Sequence, residues 1–220
     1  MNYNNTILVI ENLTVTYSRY GSTIKAINNL TIEPIQKGSW TFLLGINGSG
    51  KSTLFKTITK EVNNYSGTIL LKEVNLKQYG SEDLAKTVFL INQNPLSSTV
   101  DELTVWENLV FATGKTNTDE FEKALQQAGL QNHKHHLAKN LSGGQRQLLA
   151  LQIAKLRNVE LLLLDEPFAA LDPVNTKKAT QMILDIHASG TTVFFISHDT
   201  EYVKESSVYH KIIYLNNNIQ

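Results

Sequence analysis

Short apolar runs and amphipathic segments follow one another along the chain, which predicts strands interleaved with helices. Apolar and polar residues alternate over 7–17, as in a strand with one buried face. Residues 161–164 are apolar throughout, which is typical of a strand buried on both faces of a parallel sheet. Further strand-like runs lie at 40–44, 67–71, 88–91, 192–196 and 211–215.

Helical periodicity dominates the stretches between these runs. Thr104 and Glu107 have the spacing of a capping box. Ser142 precedes a segment whose apolar residues spread widely around the helix, which predicts a buried helix. Helices are predicted at 53–59, 108–112, 118–128, 145–156 and 176–187. The order of these elements predicts an α/β core with a helical insertion.

Composition and charge exclude several classes of protein. Among 220 residues, Lys and Arg total 20 and so do Asp and Glu, so no basic excess favours nucleic-acid binding. Cysteine is absent, which excludes disulfides, a thiol nucleophile and thiolate metal sites. The apolar runs are far shorter than the roughly 18 residues that span a bilayer. The polar first residues carry no secretory-signal pattern, so we expect a cytosolic protein.

A phosphate-binding loop is the first chemical motif. Residues 45–52 read Gly-Ile-Asn-Gly-Ser-Gly-Lys-Ser and fit G-x-x-x-x-G-K-[ST] between an apolar strand and a helix. Glycines allow backbone N–H groups to face a phosphate, and the helix N-terminus adds its dipole. Lys51 would then supply charge to the β- and γ-phosphates, and Ser52 a hydroxyl ligand to Mg²⁺. A glycine-rich turn that merely contains a lysine is disfavoured by these flanks.

Two adjacent carboxylates end the apolar strand at 161–164. Asp165 is placed to hold Mg²⁺, directly or through water. Glu166 is placed to act as general base on the attacking water. Acidic residues at strand ends are common, so this interpretation depends on the phosphate loop being present in the same chain.

Residues 141–145 read Leu-Ser-Gly-Gly-Gln and resemble the signature segment of the ATP-binding cassette (ABC) family. The residues alone describe a serine cap and flexible glycines before a helix. The resemblance adds that this helix N-terminus faces a γ-phosphate, with Ser142 as donor.

The resemblance covers nearly the whole chain and implies a P-loop NTPase fold. It implies a RecA-like core with a mainly parallel sheet, an antiparallel β subdomain and an inserted α-helical subdomain. Residues 1–220 would form one ABC ATPase domain, with the core and β subdomain at 1–93 and 157–220 and the helical part at about 94–156.

The site residues follow by matching the family motifs. The implied nucleotide contacts are Tyr17, Gly45, Asn47, Gly48, Ser49, Gly50, Lys51, Ser52, Thr53, Ser142, Gly143, Gly144, Gln145 and Asp172. The implied catalytic residues are Glu166, the glutamine-loop residue Gln93 and the switch histidine His198, and the implied Mg²⁺ ligands are Ser52, Gln93 and Asp165. Either Tyr17 or Tyr20 could stack on adenine. The histidines at 133, 135 and 136 lie in a polar stretch without carboxylate or thiol ligands, which favours a solvated loop over a metal site.

The resemblance implies an ATP-binding and ATP-hydrolysing subunit that acts with Mg²⁺ at the cytoplasmic face of the membrane. Its partners would be an integral membrane permease, a second ABC ATPase subunit (another copy or a related chain) and, through the permease, an extracytoplasmic solute-binding protein. Residues 135–140 lack the acidic, glycine-containing segment of many exporters, which favours import of a small organic solute. A soluble ABC ATPase of cofactor assembly and a small-molecule kinase are the alternatives, although a kinase has no need for residues 141–145.

Overall fold

The computed structural model describes residues 5–19, 22–116, 118–197 and 211–215. The predicted site residues His198 and Tyr20 lie outside these ranges.

Nine strands and six α-helices make up the described chain. The strands are β1 (Thr6–Arg19), β2 (Ser22–Gln36), β3 (Trp40–Leu44), β4 (Tyr65–Leu71), β5 (Val74–Asn75), β6 (Val88–Ile91), β7 (Leu161–Asp165), β8 (Thr192–Ile196) and β9 (Lys211–Tyr214). The helices are α1 (Lys51–Ile58), α2 (Ser81–Thr87), α3 (Val105–Thr113), α4 (Thr118–Ala128), α5 (Gly143–Arg157) and α6 (Pro173–Ala188). Short 3₁₀ turns lie at Leu76–Gln78, Pro95–Ser98, Gln131–His133 and Ala138–Asn140.

One sheet is antiparallel, with strand order β2-β1-β4-β5. The pairing of β1 with β2 shifts register repeatedly, and Asn12 and Asn29 adopt left-handed φ values of 51° and 50°. These bulges break the regular alternation of β2, whose buried isoleucines Ile27, Ile32 and Ile35 are not evenly spaced. The period-two pattern therefore predicted β1 but not β2.

The other sheet has the strand order β6-β7-β8-β3-β9. The pairings of β7 with β8, of β8 with β3 and of β3 with β9 are parallel. Every residue of β3, β7 and β8 is buried, as the uniformly apolar run of β7 predicted. Trp40, Phe42 and Phe195 form one aromatic cluster, with ring centroids 5.2 to 6.2 Å apart. Because ligand sites of such sheets lie beyond the carboxyl ends of the strands, the residues after β3 and β7 are the ones placed for chemistry.

The chain divides into two compact units. The first contains the described residues up to Phe89, Glu160–Asp165 and those from Gly190 onward, and the second contains Leu90–Val159 and Glu166–Ser189. The subdomain boundaries expected from the family resemblance stay predictions. Among the described residues, no helix is both long and apolar enough to cross a membrane.

Helix α5 is the centre of the second unit. It packs against α3, α4 and α6, and 11 of its residues are buried. Its buried Arg146 forms an ion pair with Asp101. The amide of Asn108 donates to the carbonyls of Val100 and Leu103 and accepts from the Val100 N–H, so the turn before α3 has a fixed shape.

Candidate functional site

The phosphate loop lies between β3 and α1, in the first unit. Gly50 adopts φ +95°, and a Cβ there would lie 2.6 Å from the Ala26 carbonyl oxygen, so a side chain does not fit. The buried Lys51 ammonium donates to the carbonyls of Gly45 at 2.7 Å and Ile46 at 3.0 Å. Carbonyls of the loop itself therefore hold the cation beside the backbone that would receive a phosphate.

The remaining loop residues form an open outer side and a buried inner side. Asn47, Gly48 and Ser52 are exposed, whereas Ser49 is buried. The Ser49 hydroxyl has no hydrogen-bond partner among the described residues. Thr53, half-buried, occupies the first turn of α1. The exposed groups leave this side accessible to a ligand.

Asp165 ends β7 in the same unit and is only 6% exposed. Its carboxylate and the Ser52 hydroxyl are hard oxygen donors of the kind that Mg²⁺ prefers. Within the part of the chain that the structure describes, no three His, Cys, Asp or Glu residues cluster as a metal site would require. The donor set fits a cation that is also held by phosphate and water, as Mg²⁺ is in nucleotide sites.

Tyr17 lies near the end of β1, opposite Ile24 of β2. Its side chain is 38% exposed and Ile24 is 52% exposed. The hairpin therefore presents an aromatic ring and an aliphatic side chain to solvent, which suits stacking on a planar base.

Gln93 and Glu166 meet in the second unit. The Gln93 amide Nε2 donates to Glu166 Oε2 at 3.1 Å. Glu166 adopts φ +49°, a left-handed conformation that is uncommon for a side chain of this size. Such strain clusters at functional sites, and here it belongs to the residue predicted as general base.

The signature residues begin α5 with a capping box. Ser142 Oγ accepts from Gln145 N at 3.2 Å, and Gln145 Oε1 accepts from Ser142 N at 2.9 Å. Gly143 is exposed, whereas Gly144 is buried. A Cβ on Gly144 would lie 3.2 Å from Leu171 Cδ2, so this glycine permits the close approach of residues 170–175. The capping interactions expected from the sequence are present.

Asp172 caps α6. Its carboxylate accepts from the N–H groups of Val174 at 2.8 Å and Asn175 at 3.0 Å. The backbone hydrogen bond from Asn175 is the main reason that the pKa of this carboxyl is lowered. Pro173 occupies the first turn, where its missing N–H costs nothing.

The site residues that the structure describes thus fall into two groups, one in each unit. The first unit carries the phosphate loop and Asp165; the second pairs Gln93 with Glu166 and places Gly144 against the segment that leads to Asp172. Sequence reasoning missed Phe111, which is 73% exposed on α3. It also missed the contact of His133 with Gln145, because a histidine in a polar loop gives no periodic signal.

Comparisons with known proteins identify the family of this chain. The family model described as ABC transporter matches residues 27–169. The energy-coupling factor transporter ATP-binding protein EcfA of Pediococcus pentosaceus is 32% identical over 219 residues, 96% of this chain and 76% of that protein. The ATP-binding protein YkoD of Bacillus subtilis is 36% identical over 172 residues, 77% of this chain but only 31% of that protein.

Similarity to a solved structure identifies the fold. The ATP-binding cassette MJ0796, a dimer in a post-hydrolysis state bound to ADP and phosphate, matches with a TM-score of 0.80 and 25% identity. The match covers 96% of this chain and 94% of that one. The P-loop NTPase fold expected from the sequence is therefore confirmed, and the chain belongs to the ABC transporter family as one of its ATP-binding, ATP-hydrolysing cassettes.

Proposed function

We propose that this cassette binds ATP with Mg²⁺, closes with a second cassette over it, and couples hydrolysis to solute import through a separate permease. The observation that carries the proposal is the hydrogen bond from Gln93 to Glu166. It orients a carboxylate that the chain already strains into position, which a structural surface pair would not require.

Nucleotide binding is assigned to the first unit. The N–H groups of the loop at 45–50 and the N-terminus of α1 attract the phosphates, and Lys51 adds a full positive charge. Tyr17 stacks on the base. Ser52 and Asp165 would hold Mg²⁺, with Gln93 as a third ligand. When bound, the ion would neutralise phosphate charge during transfer.

Hydrolysis is assigned to Glu166. Its carboxylate takes a proton from water while the water oxygen attacks the γ-phosphorus, the bond to the bridging oxygen breaks, and ADP and phosphate result. Gln93 donates to one carboxylate oxygen and so orients the carboxylate that would accept the proton. His198 is expected to contact the γ-phosphate; its position lies outside the described residues.

Ser142, Gly143, Gly144 and Gln145 are proposed to act on the nucleotide of a second cassette. The N–H groups of Gly143 and Gly144 in the first turn of α5 have no acceptor within the helix, and Ser142 adds a hydroxyl there. Asp172 would lie at the interface of the two cassettes. The dimeric state of the matching cassette supports this arrangement.

The proposed permease contact is on α3. Phe111 is the most exposed large apolar side chain among the described residues, at 73%. Phe111 lies in the same compact unit as Gln93. Movement of the glutamine loop would therefore be linked to movement of a partner bound on α3. The subunit would therefore act as a peripheral protein at the cytoplasmic face. We propose that the transported solute is a small organic molecule and that an extracytoplasmic solute-binding protein acts through the permease. The assignment of import rests on the sequence before the signature segment.

Co-purification with the membrane subunit tests this assignment. Phe111→Asp should reduce recovery of the permease by about 10-fold, because a central apolar anchor is replaced by a charge. Val74→Asp, at an apolar side chain 43% exposed in the other unit, is the matched control and should not reduce it. Failure to associate with any membrane protein would contradict the transporter role and favour a soluble cofactor-assembly ATPase.

A further inference from the structure

The side chain of Gln145 joins the signature segment to the preceding loop. Its Oε1 accepts from the Ser142 backbone N–H at 2.9 Å. A backbone N–H can only donate, so this bond fixes which end of the amide is oxygen. The amide Nε2 must then face His133 Nε2, at 3.2 Å. The orientation of Gln145 therefore determines the role of the histidine.

Gln145 Nε2 carries two hydrogens and no free lone pair, so His133 Nε2 has to accept. The imidazole is consequently neutral, with its proton on Nδ1. His133 Nδ1 is buried and has no hydrogen-bond partner among the described residues. The ring thus holds a defined tautomer because of the contact with the signature residue.

The loop that carries His133 is fixed to the start of α3. The His136 carbonyl accepts from Val105 N at 2.9 Å, and the Lys134 carbonyl accepts from Trp106 N at 3.1 Å. The His136 ring packs edge-on against the His133 ring, with centroids 5.3 Å apart. Backbone bonds at Lys134 and His136 and the packed His136 ring therefore restrain the imidazole.

We propose that His133 is a positioning residue for ATP hydrolysis. As a neutral acceptor it holds the Gln145 amide, which in turn holds the Ser142 backbone, so that the α5 N-terminus is presented in one geometry. This inference rests on the proposed function of the signature segment, and it extends the machinery to a residue outside every motif that the sequence analysis identified.

Two substitutions distinguish a role of His133 as a hydrogen-bond acceptor from a role in packing alone. His133→Leu fills similar space without an acceptor and should lower kcat for ATP about 5-fold, the factor expected for one hydrogen bond of ordinary net strength, with little change in KM. His133→Gln offers a carbonyl near the position of Nε2 and should retain activity within about 2-fold. His135→Leu, at an exposed neighbour, is the matched control and should match wild type.

The tautomer can be read without any variant. Nitrogen NMR of the ¹⁵N-histidine-labelled protein near pH 8 should show His133 with an unprotonated Nε2 and a protonated Nδ1. A protonated Nε2 would overturn the inference. Ser142→Arg separates the proposed function of the signature segment from the proposed role of His133. If this variant hydrolyses ATP like wild type, the proposed function of the signature segment fails. If it abolishes hydrolysis while His133→Leu resembles wild type, only the role of His133 fails.

Discussion

Gln93 donates a hydrogen bond to Glu166, and Glu166 is held in a left-handed backbone conformation. Replacement of the carboxylate by the isosteric amide in Glu166→Gln removes the proton acceptor. Hydrolysis should fall about 100-fold or more, the usual contribution of a general base, while ATP binding persists. Nucleotide that binds without being hydrolysed should also trap a dimer, which gel filtration with ATP would detect.

A surface carboxylate provides the control for that experiment. Glu102 is exposed in the same unit, and Glu102→Gln should hydrolyse ATP at the wild-type rate. Hydrolysis by Glu166→Gln within a few fold of wild type would show that Glu166 is not the base.

The loop glycine Gly50 should tolerate no side chain. Gly50→Ala combines the cost of a left-handed alanine with a clash of its Cβ, which would lie 2.6 Å from a backbone oxygen, and should lower the unfolding free energy by about 2 to 5 kcal/mol in total. Gly114→Ala has a similar φ of +65° but open space around the Cβ, so it should cost about 1 to 2 kcal/mol. Urea unfolding of the two variants measures the difference in their unfolding free energies. Equal losses of unfolding free energy would exclude a steric clash at position 50.

The ion pair of Asp101 with Arg146 should matter to stability because the guanidinium is buried. Asp101→Asn leaves Arg146, whose side chain is 5% exposed, beside a neutral partner and should cost about 1 to 3 kcal/mol. Glu82→Gln removes one end of a pair in which both side chains are exposed, and its unfolding midpoint in urea should match that of wild type. Similar unfolding midpoints for the two variants would show that burial of Arg146 does not increase the contribution of its ion pair to stability.

Asp172 should make stability depend on acid pH. Its pKa is lowered from 3.8 in the folded state, so its stabilisation is complete above that value and is lost as the pH falls through the lower, folded-state pKa. The melting temperature of Asp172→Ala should lie about 2 to 4 °C below wild type near neutral pH, and the gap should close in acid. A gap that widened in acid would contradict the lowered pKa.

Local patterns predicted most of the fold. The bounds of β3, β6 and β8 match the apolar runs, and the capping boxes at Thr104 and Ser142 form as their spacing indicated. Helix α2 and strand β5 were missed, because each is short and carries too few apolar residues to show a period. Strand β2 was missed because bulges at positions such as Asn29 shift its register.

The candidate site also has a part that the sequence predicts and a part that it does not. Residues in contiguous motifs could be predicted, because the backbone itself makes the loop and the helix N-terminus. Contacts between distant segments could not. The bond from Gln93 to Glu166 joins residues 73 positions apart, and the approach of Leu171 to Gly144 is set by packing within the second unit. No spacing rule encodes the contact of His133 with Gln145, which depends on how the loop at 131–137 is tied to α3.

The central claim is that each ATP is acted on by the phosphate loop of one cassette and the signature segment of another. Lys51→Ala and Ser142→Arg should each be inactive alone, the first in its phosphate loop and the second in its signature segment. In an equimolar mixture, half of the dimers would pair the two variants and carry one intact site, so ATP hydrolysis should recover to about one quarter of the wild-type rate. A mixture that stays as inactive as its components would contradict the composite site.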